Sequence, residues 1–132
     1  MENPTIESRK TYEVAHKHNK PIIVMEPVNG GNLVKLPADA QKAFDEVNQA
    51  ENTHMSNASY AIRYAAGNEN VAVVLSGMSN MEQMRDNVSY MKDFKPLTDT
   101  EKAAIDKVVD VFNHLDMIDC TSCHYCTQQN HC

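Results

Sequence analysis

Four cysteines lie within the last 13 residues of the chain, and three of them have the spacing of a metal-binding loop. Cys120, Cys123 and Cys126 are each separated by two residues, as in the loops that wrap a 4Fe-4S cluster. The fourth thiol of such a run would fall at Asn130, and the next cysteine is Cys132. The pattern therefore predicts a truncated iron–sulfur site in which these four cysteines are the metal ligands.

Two other interpretations of the cysteine tail stay open. Zinc takes four tetrahedral ligands, which the three spaced cysteines could complete with Cys132, His124 or His131. The tail could also hold no metal and carry only oxidisable thiols. Metal binding would make the chain an electron-transfer or interaction module, whereas an empty tail would belong to a truncated remnant without activity.

A second candidate for chemistry is the segment from Ser76 to Asn80, which runs from the end of a predicted strand into a predicted helix. The first backbone N–H groups of a helix have no partner within it, and the helix dipole places positive charge there. Both features suit a phosphate group. In the alternative interpretation Ser79 is only the helix cap, which forms a capping box with Glu82.

These segments belong to a predicted order α-β-α-α-β-α-α followed by the cysteine tail. The strands are short apolar runs rich in β-branched residues, and proline, glycine and capping residues separate the helices from them. A second capping box joins Thr98 and Glu101. The predicted helices span 6–18, 37–47, 56–66, 80–91 and 99–115, and the strands span 21–26 and 71–75.

Each helix carries apolar residues at helical spacing, and these predict its buried face. The predicted buried positions in the third, fourth and fifth helices are Ala58, Ala61, Ile62, Ala65, Met81, Met84, Val88, Met91, Ile105, Val108, Val109 and Phe112.

Alternating strands and helices predict an α/β fold in which the two strands are adjacent and parallel. Strands that are apolar on both faces cannot be covered by a two-stranded sheet, so they belong inside a larger sheet or barrel. We therefore expect further strands from a missing N-terminal part, from another chain or from self-association. A stand-alone two-stranded sandwich is the alternative. The predicted domains are residues 1–115 and the tail 116–132.

Composition narrows the choice of partners. The 132 residues have a formal net charge of −6 at pH 7, so the chain has no electrostatic reason to bind nucleic acid. No apolar run approaches the roughly 20 residues that span a membrane. The polar N-terminus lacks the pattern of a signal peptide. We expect a cytoplasmic protein whose thiols stay reduced.

Several segments resemble the last two βα units of bacterial aldo/keto reductases. They are KPIIVMEPVNGGNL, SNASYAIRYAA and VAVVLSGMSNMEQMRDNV, and DFKPLTDTEKAAID followed by CTSCHYC is similar to the subgroup with a ferredoxin-like iron–sulfur (4Fe-4S) tail. The resemblance implies a partial (β/α)8 TIM barrel with strands seven and eight and the C-terminal helices. It also implies NAD(P)H-dependent reduction of a small carbonyl substrate.

The resemblance assigns cofactor contacts to the two loops. Met78 and Ser79, beside Gly77, would meet the adenosine phosphate or ribose, and Gln83 and Asn87 would point toward the adenine. The loop of Glu26, Pro27, Val28, Gly30 and Gly31 would pass beside the nicotinamide and pyrophosphate. Met25 takes the place where many relatives have an aromatic ring.

Two departures from the family pattern affect the expected activity. A basic residue often found in the second loop is absent, and Arg85 is the nearest cation, which leaves the choice between NADPH and NADH open. The family's catalytic Asp, Tyr, Lys and His lie on earlier strands, and none of those positions falls within this sequence. We therefore expect a fragment that is inactive alone.

Overall fold

The computed structural model describes residues 7–115, which form five helices and a two-stranded sheet. The seven elements follow the order predicted from the sequence. A short 3-10 turn at Asn29–Gly31 adds to them. Their bounds are α1 Ser8–Lys17, β1 Ile22–Val24, α2 Ala38–Ala50, α3 Asn57–Ala66, β2 Val71–Val74, α4 Met81–Met91 and α5 Asp99–His114.

The two strands are neighbours and run parallel, as predicted. Ile23 pairs with Val73 and Val24 with Val74, and both helices α2 and α3 lie between the strands in sequence. The arrangement is an α/β fold. The resemblance implies a larger barrel, and a two-stranded sheet neither shows nor excludes one.

The core lies where α2, α3 and α5 meet. The Phe44 and Tyr60 rings stack with centroids 4.0 Å apart and an interplanar angle of 11°. Burial, followed by the nearby Glu101 carboxylate, raises the pKa of Tyr60 to about 12, so the phenol stays neutral. The buried residues of this core are Ala40, Ala43, Phe44, Val47, Tyr60, Leu97, Ala104 and Val108.

An ion pair lies inside the fold between α3 and α5. Arg63 donates from Nη1 to Glu101 Oε1 at 2.6 Å and from Nη2 to Oε2 at 2.9 Å, and about 5% of each side chain is exposed. The guanidinium also donates to the carbonyl oxygens of Lys95 and Pro96. Glu101 closes the predicted capping box with Thr98, so one carboxylate caps α5 and neutralises a buried arginine.

The buried face of α3 differs from the predicted one. The structure buries Ser59, Tyr60 and Arg63 together with Ile62, whereas the predicted Ala58, Ala61 and Ala65 are only half-buried. The reason is the partner of Arg63. A charged side chain is buried when its hydrogen bonds are satisfied, and no apolar periodicity indicates that in advance.

The predicted apolar stripe of α4 is largely exposed. Met81, Met84 and Val88 are 62%, 43% and 50% exposed, and Met91 is half-buried. The buried residues of α4 are instead Asn87 and Tyr90. Within residues 7–115 no element covers the stripe, because α4 packs on α3 through its polar side.

One face of the sheet is also exposed. Ile23 and Met25 are 61% and 71% exposed, and Val73 and Leu75, which share their face, are nearly half exposed. The strands were predicted to be buried on both faces, so this part of the prediction is wrong for residues 7–115. The opposite face, with Ile22, Val24, Val71 and Val74, is half-buried.

In α5 the predicted inward face is confirmed in outline. Val108 is buried, and Ile105, Val109 and Phe112 are half-buried. Glu101 and Ala104 extend the buried face toward the start of the helix.

Candidate functional site

Parallel pairing brings the ends of both strands to one edge of the sheet. Val24 pairs with Val74, and the Leu75 N–H donates to the Val24 carbonyl oxygen at 2.9 Å. The loop after β1 and the loop after β2 therefore leave the sheet side by side. The carboxyl ends of parallel strands are where α/β folds place their ligand sites.

The first loop turns sharply through a series of residues with positive φ. Glu26 has φ 51°, Gly30 has φ 62° and Gly31 has φ 94°. The turn is closed by hydrogen bonds from the Asn29 N–H to the Glu26 carbonyl and from the Gly31 N–H to the Val28 carbonyl, both 3.0 Å. A Cβ built on either glycine would meet nothing within 4 Å, so the backbone there is open to a ligand.

An apolar groove lies beside this loop, between the end of β1 and helices α3 and α5. Its volume is about 200 Å³. Met25, Glu26 and Pro27 line it, so three of the predicted site residues meet there. No sequence pattern predicted it, because its other walls come from distant segments of the chain. They include Leu33, Leu36, Ala61, Ala65, Ile105 and Val109.

The second loop connects β2 to α4, and its cap lies one residue later than predicted. Asn80 is the N-cap and accepts a hydrogen bond from the Gln83 N–H at 2.9 Å. The Gln83 Oε1 atom in turn accepts from the Ser79 N–H at 2.7 Å and from its hydroxyl at 3.2 Å. The predicted capping box of Ser79 with Glu82 is therefore wrong, and the side chains of Asn80 and Gln83 accept the backbone hydrogen bonds at this end of α4 instead.

The start of α4 is thus capped by its own side chains. The Met78 N–H donates to the Ser76 carbonyl at 3.2 Å, and the N–H groups of Ser79 and Gln83 have the partners given above. These three N–H groups are not free, contrary to the prediction for this segment. Gly77 keeps open space on its Cβ side.

Asn87 lies inside the fold, one helical turn after the exposed Gln83. It is 9% exposed, donates from Nδ2 to the Ser76 hydroxyl oxygen at 2.8 Å and accepts a hydrogen bond from the Tyr90 hydroxyl. Asn87 is therefore buried and does not share an open surface with Gln83. Its contact with adenine stays a prediction.

A second polar contact fixes α4 against α3. The Ser56 hydroxyl, at the N-cap of α3, donates to Asp86 Oδ2 at 2.6 Å. Burial, followed by the Asp86 carboxylate, raises the pKa of Tyr90 well above its usual value, so its hydroxyl stays protonated. Sequence reasoning missed these contacts, and the burial of Asn87 and Tyr90 three residues apart is a signal that only the structure supplies.

Comparison with known proteins identifies the family to which the chain belongs. The model of the aldo/keto reductase family matches residues 3–110, which is most of the chain. The chain belongs to the aldo/keto reductase family. Its members are oxidoreductases that generally use NAD(P)H. Two further comparisons, one with curated proteins and one with solved structures, found no match.

The two loops of this aldo/keto reductase chain have features that suit a dinucleotide. The backbone is open at Gly30, Gly31 and Gly77, where a phosphate chain can approach closely. The Ser79 N–H and hydroxyl already meet one oxygen atom, that of the Gln83 amide, so their geometry suits an oxygen ligand. The family match does not distinguish the subgroup with an iron–sulfur tail.

The predicted metal ligands lie outside the described residues; they are Cys120, Cys123, Cys126 and Cys132. Among residues 7–115, no group of three His, Cys, Asp or Glu side chains is arranged to hold a metal ion. Among the helices of the same residues, none is long and apolar enough to cross a membrane.

Proposed function

We propose that this chain forms the cofactor-binding end of an NAD(P)H-dependent carbonyl reductase. The observation that carries the proposal is the parallel pairing of β1 and β2, which sets two open loops side by side in a chain of the aldo/keto reductase family. When bound, the nicotinamide supplies a hydride to a small carbonyl compound. The residues of this chain hold and orient the dinucleotide.

Each loop has its own part in this proposal. In the second loop, Ser79 and the open backbone at Gly77 and Met78 receive the adenosine phosphate or ribose, and the oxygen of Gln83 gives way to a ligand oxygen. In the first loop, the backbone of Val28, Gly30 and Gly31 lies beside the pyrophosphate. Met25, Glu26 and Pro27 face the nicotinamide.

The charges near the second loop bear on the choice of dinucleotide. Glu82 and Asp86 lie in the first turns of α4, and Arg85 is the one basic residue between Ser76 and Met91. A 2′-phosphate adds negative charge beside these carboxylates and gains most from a cation. We propose that Arg85 is the side chain on which binding of NADPH in preference to NADH depends.

The groups that transfer a proton to the carbonyl come from outside this chain in the proposal. Support comes from the exposed apolar sheet face of Ile23, Met25, Val73 and Leu75, since apolar strand faces are stable when another layer covers them. We propose that further barrel strands, from an N-terminal barrel half or from a second copy, cover this face. A complete site then needs both parts.

The test is aldehyde-dependent oxidation of NADPH by the purified chain. We expect no turnover above the rate without protein, because the residues proposed for this chain bind the cofactor and provide no proton donor at the carbonyl. Loss of NADPH absorbance with a simple aldehyde at a rate proportional to protein concentration would contradict the division of roles. A Ser79→Ala variant that kept the same rate would exclude the second loop from that activity.

A second candidate function rests on the cysteine spacing in the tail. We propose that Cys120, Cys123 and Cys126 hold three irons of a cluster and that Cys132 is a weak fourth ligand, with zinc as the competing metal. A thiolate site of this kind would make the chain an electron-transfer or interaction module in the cytoplasm.

Anaerobic reconstitution with iron and sulfide, and separately with zinc, tests the tail. We expect oxygen-labile iron–sulfur absorption that Cys123→Ala abolishes and Cys132→Ala reduces only in part, because three ligands of the run survive in the second variant. Tight zinc binding without visible iron–sulfur absorption would favour the zinc site instead. Binding of neither metal would contradict both.

A further inference from the structure

Three side chains connect the inner face of α4 to the start of the second loop. Tyr90 donates its hydroxyl to Asn87 Oδ1, and Asn87 donates from Nδ2 to the Ser76 hydroxyl oxygen at 2.8 Å. Tyr90 is 6% exposed and Asn87 9%, so the bond between them is shielded from water, and the bond from Asn87 to the half-buried Ser76 is partly shielded. Ser76 lies two residues beyond the end of β2 and just before the open backbone at Gly77.

The far side of the loop has a separate anchor. Gln83 Oε1 accepts from the Ser79 N–H and hydroxyl, and Asn80 caps the helix. The loop is therefore held at Ser76 from inside the fold and at Ser79 from the helix surface. Gly77 and Met78, between these anchors, are the part proposed above to meet the nucleotide.

We propose that Tyr90 is a positioning residue for the nucleotide loop, defined as residues 76–80. Its hydroxyl fixes the carboxamide of Asn87, which in turn fixes Ser76. The proposal rests on the proposed cofactor role of that loop and adds a residue that touches no ligand.

The burial of Tyr90 suits this role. A phenol whose pKa is raised by burial stays a hydrogen-bond donor at every physiological pH. Because a buried amide that loses a partner has no water to replace it, the carboxamide keeps one orientation while the hydroxyl is present. Removing the hydroxyl frees Asn87 to turn and releases its hold on Ser76.

Two contacts of α4 have different effects in this arrangement. Ser56 and Asp86 fix the position of α4 as a whole, whereas Tyr90 acts on the loop alone. A Tyr90→Phe change keeps the ring that packs in the interior and deletes only the hydroxyl that donates to Asn87. Its effect should therefore concentrate in residues 76–80.

The experiment compares Tyr90→Phe with Tyr12→Phe in the full chain. The control also deletes a hydroxyl hydrogen bond, from Tyr12 to the Glu69 carbonyl, but at the opposite end of β2. Two quantities are measured: the backbone amide resonances of residues 76–80, and the dissociation constant for NADPH. We expect Tyr90→Phe to shift the loop resonances and to raise the dissociation constant about two- to tenfold, the usual effect of one hydrogen bond.

The outcomes separate this inference from the cofactor proposal. Folded Tyr90→Phe protein with wild-type loop resonances would overturn the positioning role, as would equal effects from Tyr12→Phe. Wild-type protein that binds no NADPH would overturn the cofactor role, while the loop resonances would still decide the role of Tyr90. Should Tyr90→Phe fail to fold, Ser76→Ala removes the hydroxyl that accepts the hydrogen bond from Asn87. It must then shift the amides of Gly77 and Met78.

Discussion

Replacing Arg63 by alanine is expected to lower the free energy of unfolding by about 3–5 kcal/mol, because the change leaves the Glu101 carboxylate buried without its partner. The two side chains are about 95% buried and share two hydrogen bonds of 2.6 and 2.9 Å. The lost charge also frees the carbonyl oxygens of Lys95 and Pro96. Urea denaturation followed by circular dichroism measures the change.

Two controls separate burial from charge. Lys107 pairs with Glu46 at 3.6 Å on the surface, and Lys107→Ala should cost less than about 1 kcal/mol. The double change Arg63→Met with Glu101→Leu removes both charges, and it should cost less than Arg63→Ala alone even though it deletes the capping box. A loss below 1 kcal/mol for Arg63→Ala would contradict the buried pair.

The largest loss from an apolar substitution is expected at Phe44. Its ring is 4% exposed and stacks on Tyr60 at the meeting point of α2, α3 and α5. Phe44→Ala should lower the free energy of unfolding by about 3–5 kcal/mol, since it removes the ring and leaves a cavity in the core.

Phe94→Ala is the matched control for Phe44, because the same atoms are removed from a residue that is 37% exposed. Its loss should be clearly smaller, since water already contacts part of the ring. Equal losses in the two variants, measured by thermal or urea unfolding, would show that the core does not centre on Phe44.

Local signals in the sequence were sufficient for the elements and their pairing. Pro21 and Gly67 mark helix ends, Thr98 with Glu101 marks the start of α5, and the β-branched runs mark both strands. The parallel pairing followed from the order of elements alone. The helix ends, the cap of α5 and the strand runs depend on residues close together in the chain.

The errors concern contacts between distant segments. Arg63 is buried because Glu101 reaches it from 38 residues away, and no periodicity within α3 contains that information. The stripe of Met81, Met84 and Val88 has the spacing of a buried face, but no element of residues 7–115 covers it. The cap at Asn80 was missed because Ser79 and Asn80 are both good caps, and the fold selects between them.

The proximity of the two loops was predicted from the sequence, whereas the hydrogen bonds within them were not. The two loops lie together, as strand ends of parallel strands must. The hydrogen bonds from Gln83 to Ser79 and from Asn87 to Ser76 depend on rotamers, which the sequence does not specify.

Titration of the labelled chain with NADPH, followed through its backbone amide resonances, tests directly whether the two loops bind the dinucleotide. We expect shifts confined to the two loops and the start of α4, at residues 25–31 and 76–87, with the largest at Gly77 and Ser79, where the Gln83 oxygen is displaced. Absence of shifts at saturating NADPH, or shifts centred on the apolar groove residues Ile105 and Val109 instead of the loops, would contradict it.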